Sequence, residues 1–186
     1  MISLINLLKE NSESIYEFGC VMLWVKFPKM EKLHSIISKS DIYTEEGDIK
    51  YGLEDEPHIT LLYGLSKDVT LDQVKDKLKD FKFGPEKLVA YNASLFENKD
   101  KPYDVLKFDI KGQILSAINE QLKTLPFKSD FPNYHPHMTI GYIKKGEGQK
   151  YTNYLKGIKF ELQPEYIVYS HNGIDDKIEI KFINGK

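Results

Sequence analysis

Two tripeptides in this chain, His58-Ile59-Thr60 and His137-Met138-Thr139, share one pattern: a histidine, an apolar residue and a threonine, each opening an apolar run. Read as strands, whose side chains alternate faces with a period of two, each run points its histidine and threonine to one side. Ile59 and Leu61, and likewise Met138 and Ile140, then point to the other side and are buried. If the two strands meet across a cleft, two imidazoles and two hydroxyls converge. A neutral imidazole removes a proton from an attacking hydroxyl or water, and an imidazolium gives one to a departing oxygen, each transfer typically being worth ~10² to 10⁴ in rate. Threonine hydroxyls, helped by backbone amides, would hold the nonbridging oxygens of a phosphate. The chemistry that fits is in-line displacement at a phosphodiester, run by positioning and proton transfer. Both tripeptides follow a proline, in Glu56-Pro57-His58 and His135-Pro136-His137, which makes the repetition harder to ascribe to chance.

Every basic residue is a lysine and arginine is absent, which removes the planar fork that normally grips phosphate in a bidentate way. Histidines, hydroxyls, backbone amides and lysines must replace it. His135 offers a different chemistry: with His58 and His137 it would supply three ligands of an open, catalytic zinc site. Pro136 bends the backbone between them and no fourth ligand follows from the spacing, so the expectation is that no metal or other cofactor is needed. His34, on an expected helix, and His171, beside an expected turn, read as surface or capping residues. Bases of single-stranded nucleic acid stack on aromatic faces, which makes aromatics near the motifs binding candidates. These are Tyr134, on an irregular loop just before the second motif, and Trp24, on a strand face that is either cleft wall or core. Lys128, on the same loop as Tyr134, is a phosphate contact or simply solvated. The acidic run within 45–56 would repel phosphate from a cleft and is read as the solvated exterior of a lid.

The elements that must position these residues follow in order along the chain. Residues 3–10 carry Leu4, Leu7 and Leu8 on one side of a short amphipathic helix. Residues 20–27 are apolar and β-favouring up to Pro28, and 29–40 place Met30, Leu33, Ile36 and Ile37 at helical spacing. The polar connection 41–57 is long enough to be a lid or a binding loop. After the first motif strand, Thr70 or Asp72 caps a helix with Leu71, Val74 and Leu78 on one face. Strands at 87–96 and 104–110, a helix at 112–125, the loop 126–136 and the second motif strand come next. A short helical piece near 151–157 and a hairpin around Asn172 and Gly173 end the series. Strand pairs joined by short turns argue for an α+β fold, with antiparallel sheets around a central, two-lobed cleft and helices on the outer faces.

At 186 residues the chain reads as one domain, 1–186, with residues 1–18 as an N-terminal extension. The formal charge of −2 argues against long contact with duplex nucleic acid and for a small nucleotide partner. No apolar run approaches the roughly 20 residues of a membrane-spanning helix, and the first residues lack a basic n-region and a cleavage site. The single Cys20 fits a reducing compartment as a buried structural thiol. A cytoplasmic location without membrane contact is expected.

The segments EPHITLLYG (56–64) and YHPHMTIGY (134–142) resemble the two signature motifs of the two-histidine (2H) phosphoesterase superfamily, which includes RNA 2',5'-ligase-like proteins and cyclic phosphodiesterases. The spacing of the motifs, the order of elements from Gly19 to Phe182 and the segment SLFENKDKPYDVLKFDI (94–110) are similar as well. The resemblance implies that His58 and His137 are an acid and base pair, that Thr60 and Thr139 bind phosphate, and that the fold is bilobal with no required metal. It extends to small phage-type members, including anti-CBASS nucleases that degrade cyclic oligonucleotide signals. The expected function is a metal-independent phosphodiesterase for a 2',3'-cyclic phosphate, a 2'-5' linkage or a cyclic oligonucleotide. The alternatives are a module that binds nucleotides or RNA ends without turnover, and a zinc-dependent hydrolase using His58, His135 and His137.

Overall fold

The structure is a computed structural model and describes residues 18–46, 51–84, 87–97, 99–129 and 133–183. The helix expected at 3–10 lies outside the described residues. Strand β1 (Phe18–Lys26) leads to helix α1 (Met30–Ser35), then β2 (His58–Ser66), α2 (Leu71–Leu78), β3 (Lys82–Phe83), β4 (Leu88–Phe96) and β5 (Tyr103–Lys111). Helix α3 (Gln113–Leu122), β6 (His137–Lys144), α4 (Gln149–Tyr154), β7 (Phe160–His171), β8 (Ile174–Glu179) and β9 (Lys181–Phe182) complete the order. Local chemistry accounts for several boundaries. Thr70 closes a reciprocal capping box with Gln73 at the start of α2. Asn172 and Gly173, at φ of 48° and 78°, form the tight turn between β7 and β8 that Asn-Gly favours.

The main sheet runs β2-β1-β7-β4-β5-β6, with β8 added on β7, and every pairing along it is antiparallel. The α+β fold expected from the sequence is what forms, but its two halves are not separate sheets. Strand β7 belongs to both: Phe160–Leu162 pairs with β4, and the stretch from Gln163 to Ser170 pairs with β1. The changeover falls at Pro164, beside a register shift opposite Trp24 and Val25. A proline gives no ladder donor, so it sits where pairing is already broken. Read locally, Pro164 would end a strand, and the bulge is what lets β7 run through it. The short parallel pair of β3 with β9, Lys82 opposite Lys181 and Phe83 opposite Phe182, had no signal in the periodicity.

The two motif strands are the two ends of this path, and they approach each other. An unpaired end strand exposes a row of donors and acceptors, and each is covered by a loop. Along β2, the Ser66 amide donates to the Pro126 carbonyl at 2.9 Å and the Lys128 amide to the Gly64 carbonyl at 2.8 Å. Along β6, the Glu54 amide donates to the Ile140 carbonyl at 2.9 Å and the Tyr142 amide to the Gly52 carbonyl at 2.7 Å. Each motif strand carries a glycine where its covering segment crosses. A Cβ on Gly64 would lie 1.8 Å from the Lys128 carbonyl oxygen, and one on Gly141 would lie 2.9 Å from that of Gly52. Gly64 also has φ of 96°, in the left-handed region.

One contiguous core lies behind the motif strands, where Ile59, Leu61, Met138 and Ile140 are fully buried. Helix α3 backs β2 through buried Asn119, whose amide donates to the Leu61 carbonyl at 2.6 Å. The start of the segment covering β6 is anchored by buried Asp41, which accepts from the Tyr151 hydroxyl and pairs with Lys150 at 2.7 Å. The Lys150 and Tyr151 bonds pull the Asp41 carboxyl down to about 2. No helix among the described residues is long and apolar enough to cross a membrane.

Two outcomes test this frame. Gly64→Ala destabilises the fold by more than about 1 kcal/mol in denaturant titration, because both its backbone angle and the Lys128 carbonyl oppose a Cβ. A change inside the error of the measurement would show that the loop does not seal β2 here. A carboxyl depressed in the folded state stabilises above its unfolded pKa of roughly 4 and loses that contribution as pH falls through about 2. Asp41→Asn therefore flattens stability against pH in that window, and an unchanged acid limb would contradict the anchor.

Candidate active site

Each histidine is set by the same five-residue construction. The proline before it cannot donate to the ladder, but its carbonyl accepts from the next strand: the Val25 amide to Pro57 at 3.1 Å and the Ile110 amide to Pro136 at 2.8 Å. The carbonyl two residues before the histidine turns onto its ring. The Nδ1 of His58 lies 2.8 Å from the Glu56 carbonyl oxygen, and the Nδ1 of His137 lies 2.9 Å from that of His135. A carbonyl only accepts, so Nδ1 carries the hydrogen in both rings and Nε2 is the nitrogen presented to a ligand. Period two then places Thr60 and Thr139 on the faces of their histidines. Register fixes the neighbours: Trp24 and Met22 stand opposite His58 and Thr60, and Asp109 and Lys107 opposite His137 and Thr139.

His58, Thr60, His137 and Thr139 together line one cleft of about 190 Å³. The other walls are Glu54, Phe96, Val105 and Tyr142. His58 is buried and His137 half-buried. Burial pushes the His137 imidazole below its ordinary value; the His135 carbonyl opposes this, Lys107 and His58 add to it, and Asp109 opposes it again.

Other residues singled out from the sequence fall differently. Trp24 sits beside the site, its ring centroid 6.0 Å from that of His58, and stacks on Tyr166 at 5.8 Å. Tyr134 joins the two motifs: its ring packs on the core and its hydroxyl donates to the Thr60 carbonyl at 3.1 Å. Lys128 is exposed, and its backbone seals β2. Cys20 is buried beside Thr60, and burial pushes its thiol up to about 12, which leaves it inert at neutral pH. His34 lies 3.8 Å from Asp55, and the Nε2 of His171 lies 2.9 Å from the Asp176 carboxylate, which accepts. Among the described residues no three His, Cys, Asp or Glu side chains are disposed to hold a metal ion, so His135 does not complete a three-ligand set with His58 and His137.

The acidic run does not lie wholly outside the cleft, as its charge suggests it should: Glu54 is part of the wall. The cause is the pairing of residues 52–54 with the edge of β6, which carries Glu54 to the motif strands. Its carboxylate accepts from the Glu56 amide at 3.0 Å, just before His58.

Sequence reasoning also missed the surroundings of His137. Lys107, only 5% exposed, has its ammonium against the Asp109 carboxylate, 2.9 Å from the Ser94 hydroxyl and 4.5 Å from the centroid of the Phe96 ring. The second carboxylate oxygen of Asp109 accepts from the Asn92 amide at 2.5 Å. Phe96 in turn meets the His137 ring edge to face at 4.7 Å. A signal was present in the alternation of Val105, Lys107 and Asp109, which puts a charged pair on one face of a strand. Only the pairing of β5 with β6 shows that this face is the one carrying His137.

No protein-family description matches the chain, and no curated protein is similar to it in sequence. Among solved structures, the fold is similar to that of Kluyveromyces marxianus Usb1, with a TM-score of 0.59 and 10% sequence identity over 89% of this chain and 99% of that one. Usb1 of the same organism solved with uridine monophosphate has a TM-score of 0.52 and 11% identity, again over 89% and 99% of the two chains. At such identities the likeness is one of fold.

Proposed function

We propose that this protein is a metal-independent phosphodiesterase of the two-histidine kind, acting on a small nucleotide ester. The observation that carries the reading is the convergence of two identically built histidines, each with Nε2 left free by the same backbone bond, and two threonines in one cleft. Binding alone needs no such pair, whereas in-line displacement needs one group to take a proton and another to give one. The uridine monophosphate in the structurally similar Usb1 supports a nucleotide as the ligand.

In this reading the phosphate lies between the two motif strands, with Thr60 and Thr139 holding its nonbridging oxygens. One Nε2 removes the proton of the attacking water or ribose 2'-hydroxyl, and the other protonates the departing oxygen. Glu54 bears on the form of the phosphate: a diester carries one negative charge and a terminal monoester nearly two, so a carboxylate in the wall disfavours the monoester more. The candidate linkages are a 2',3'-cyclic phosphate, a 2'-5' bond and a cyclic oligonucleotide signal of the type cleaved by anti-CBASS nucleases. The inert, buried Cys20 accords with a cytoplasmic site of action.

The purified protein incubated with 2',3'-cyclic nucleotides, linear 2'-5' oligonucleotides and cyclic di- and trinucleotides converts at least one of them, seen by chromatography. Recovery of every ligand unchanged from a tight complex would replace catalysis with sequestration. On the converted substrate, His58→Ala and His137→Ala each lower kcat by ~10² or more, with the thermal transition retained; a folded single variant at full activity would end the assignment. The pH–rate profile is bell-shaped, its limbs belonging to the coupled pair.

A further inference from the structure

The two histidines match in local backbone, in tautomer and in their threonine partners, so nothing in the motifs assigns acid and base. Their surroundings are unequal. On the His137 side, β5 brings the Lys107 ammonium and the Asp109 carboxylate, and β4 brings Phe96, Ser94 and Asn92. On the His58 side, β1 brings Trp24, and the segment before β2 brings the carboxylates of Glu54 and Glu56. The titratable groups that line the cleft itself are the two histidines, Glu54 and Tyr142.

We propose that Lys107 is a positioning residue that makes the two histidines unequal, so that His137 is the general base and His58 the general acid. This rests on the phosphodiesterase reading above. An ammonium has three N–H donors, and those of Lys107 have three recipients: Asp109, the Ser94 hydroxyl and the face of Phe96. It is thus held behind the wall and acts on the site through its charge and through Phe96, whose ring meets His137. A fixed, buried positive charge opposes protonation of the nearby imidazole, and keeps it ready to accept. Asp109 opposes this effect, but less than Lys107 promotes it. Among the described residues no such ammonium stands behind His58, whose strand neighbour is Trp24, so the proton donor's role falls to it.

Nε2 of His137 takes the proton of the attacking hydroxyl as its oxygen forms a bond to phosphorus. The bond from phosphorus to the leaving oxygen breaks in line, and that oxygen takes the proton from Nε2 of His58. The pair ends with its protonation reversed, and exchange with solvent restores it.

Two probes differing only in leaving group separate the roles: uridylyl-(3'→5')-uridine, whose alkoxide needs a proton, and uridine 3'-(4-nitrophenyl phosphate), whose phenolate does not. His58→Ala loses ~10² or more on the first and less than about tenfold on the second, whereas His137→Ala loses ~10² or more on both. The reverse pattern overturns the assignment while leaving the phosphodiesterase reading intact; no turnover of any diester by the wild type ends both. Lys107→Met moves the acidic limb of the rate profile, and the NMR titration midpoint of His137, to higher pH, and Lys107→Arg leaves both near the wild-type position. Lys107→Met with Asp109→Asn, which strands no buried carboxylate, shifts them in the same direction by less and serves if the single variant is unfolded. A folded variant without the shift, or with one to lower pH, overturns the role of Lys107.

Discussion

The bond from each histidine Nδ1–H to the carbonyl two residues earlier governs what the cleft can do. A ring so held has one tautomer and one orientation, and it presents a single nitrogen to a ligand. Such a bond contributes about 1 kcal/mol on its own, but its larger effect is on function, since a rotated ring would offer a donor where an acceptor is wanted. The proline in between makes it reachable by fixing the backbone while its own carbonyl joins the neighbouring strand. Both motifs use the construction at opposite ends of one sheet path.

That placement creates a second requirement. End strands invite pairing with other chains, and the histidines must sit on them for the two ends to face each other. The segments at 126–128, 42–43 and 52–54 resolve the conflict by occupying the free edges, and Gly64 and Gly141 make room for the backbones that cross them. One of these covers also alters the site, because its pairing with β6 delivers Glu54 to the wall. The cover and the cleft therefore belong to one design, with Asp41, Lys150 and Tyr151 holding the far end of the cover.

Much of this was legible in the residues, and the limits have physical causes. The period of two assigned the faces of His58, Thr60, His137 and Thr139, and Asn-Gly and Thr70 located a turn and a cap. What failed depended on pairing. The merging of two sheets through β7 hangs on a bulge at Pro164, which reads locally as a strand break. Glu54 looked solvated because its strand-like pairing partner lies more than eighty residues away. Lys107 and Asp109 were visible as a charged pair, but their meaning comes from the register of β5 on β6, which no local pattern encodes. The loop position of Tyr134 marks it as a binding aromatic, but does not show that its hydroxyl ties that loop to Thr60.

The central claim is that two histidines move two protons in the step that breaks the ester. The most direct measurement is a proton inventory: kcat on a diester with a poor leaving group, under conditions where chemistry limits the rate, across mixtures of light and heavy water. Two protons in flight predict a rate that falls along a downward-bowed curve as deuterium increases. A straight line, or no isotope dependence, would contradict concerted use of the pair.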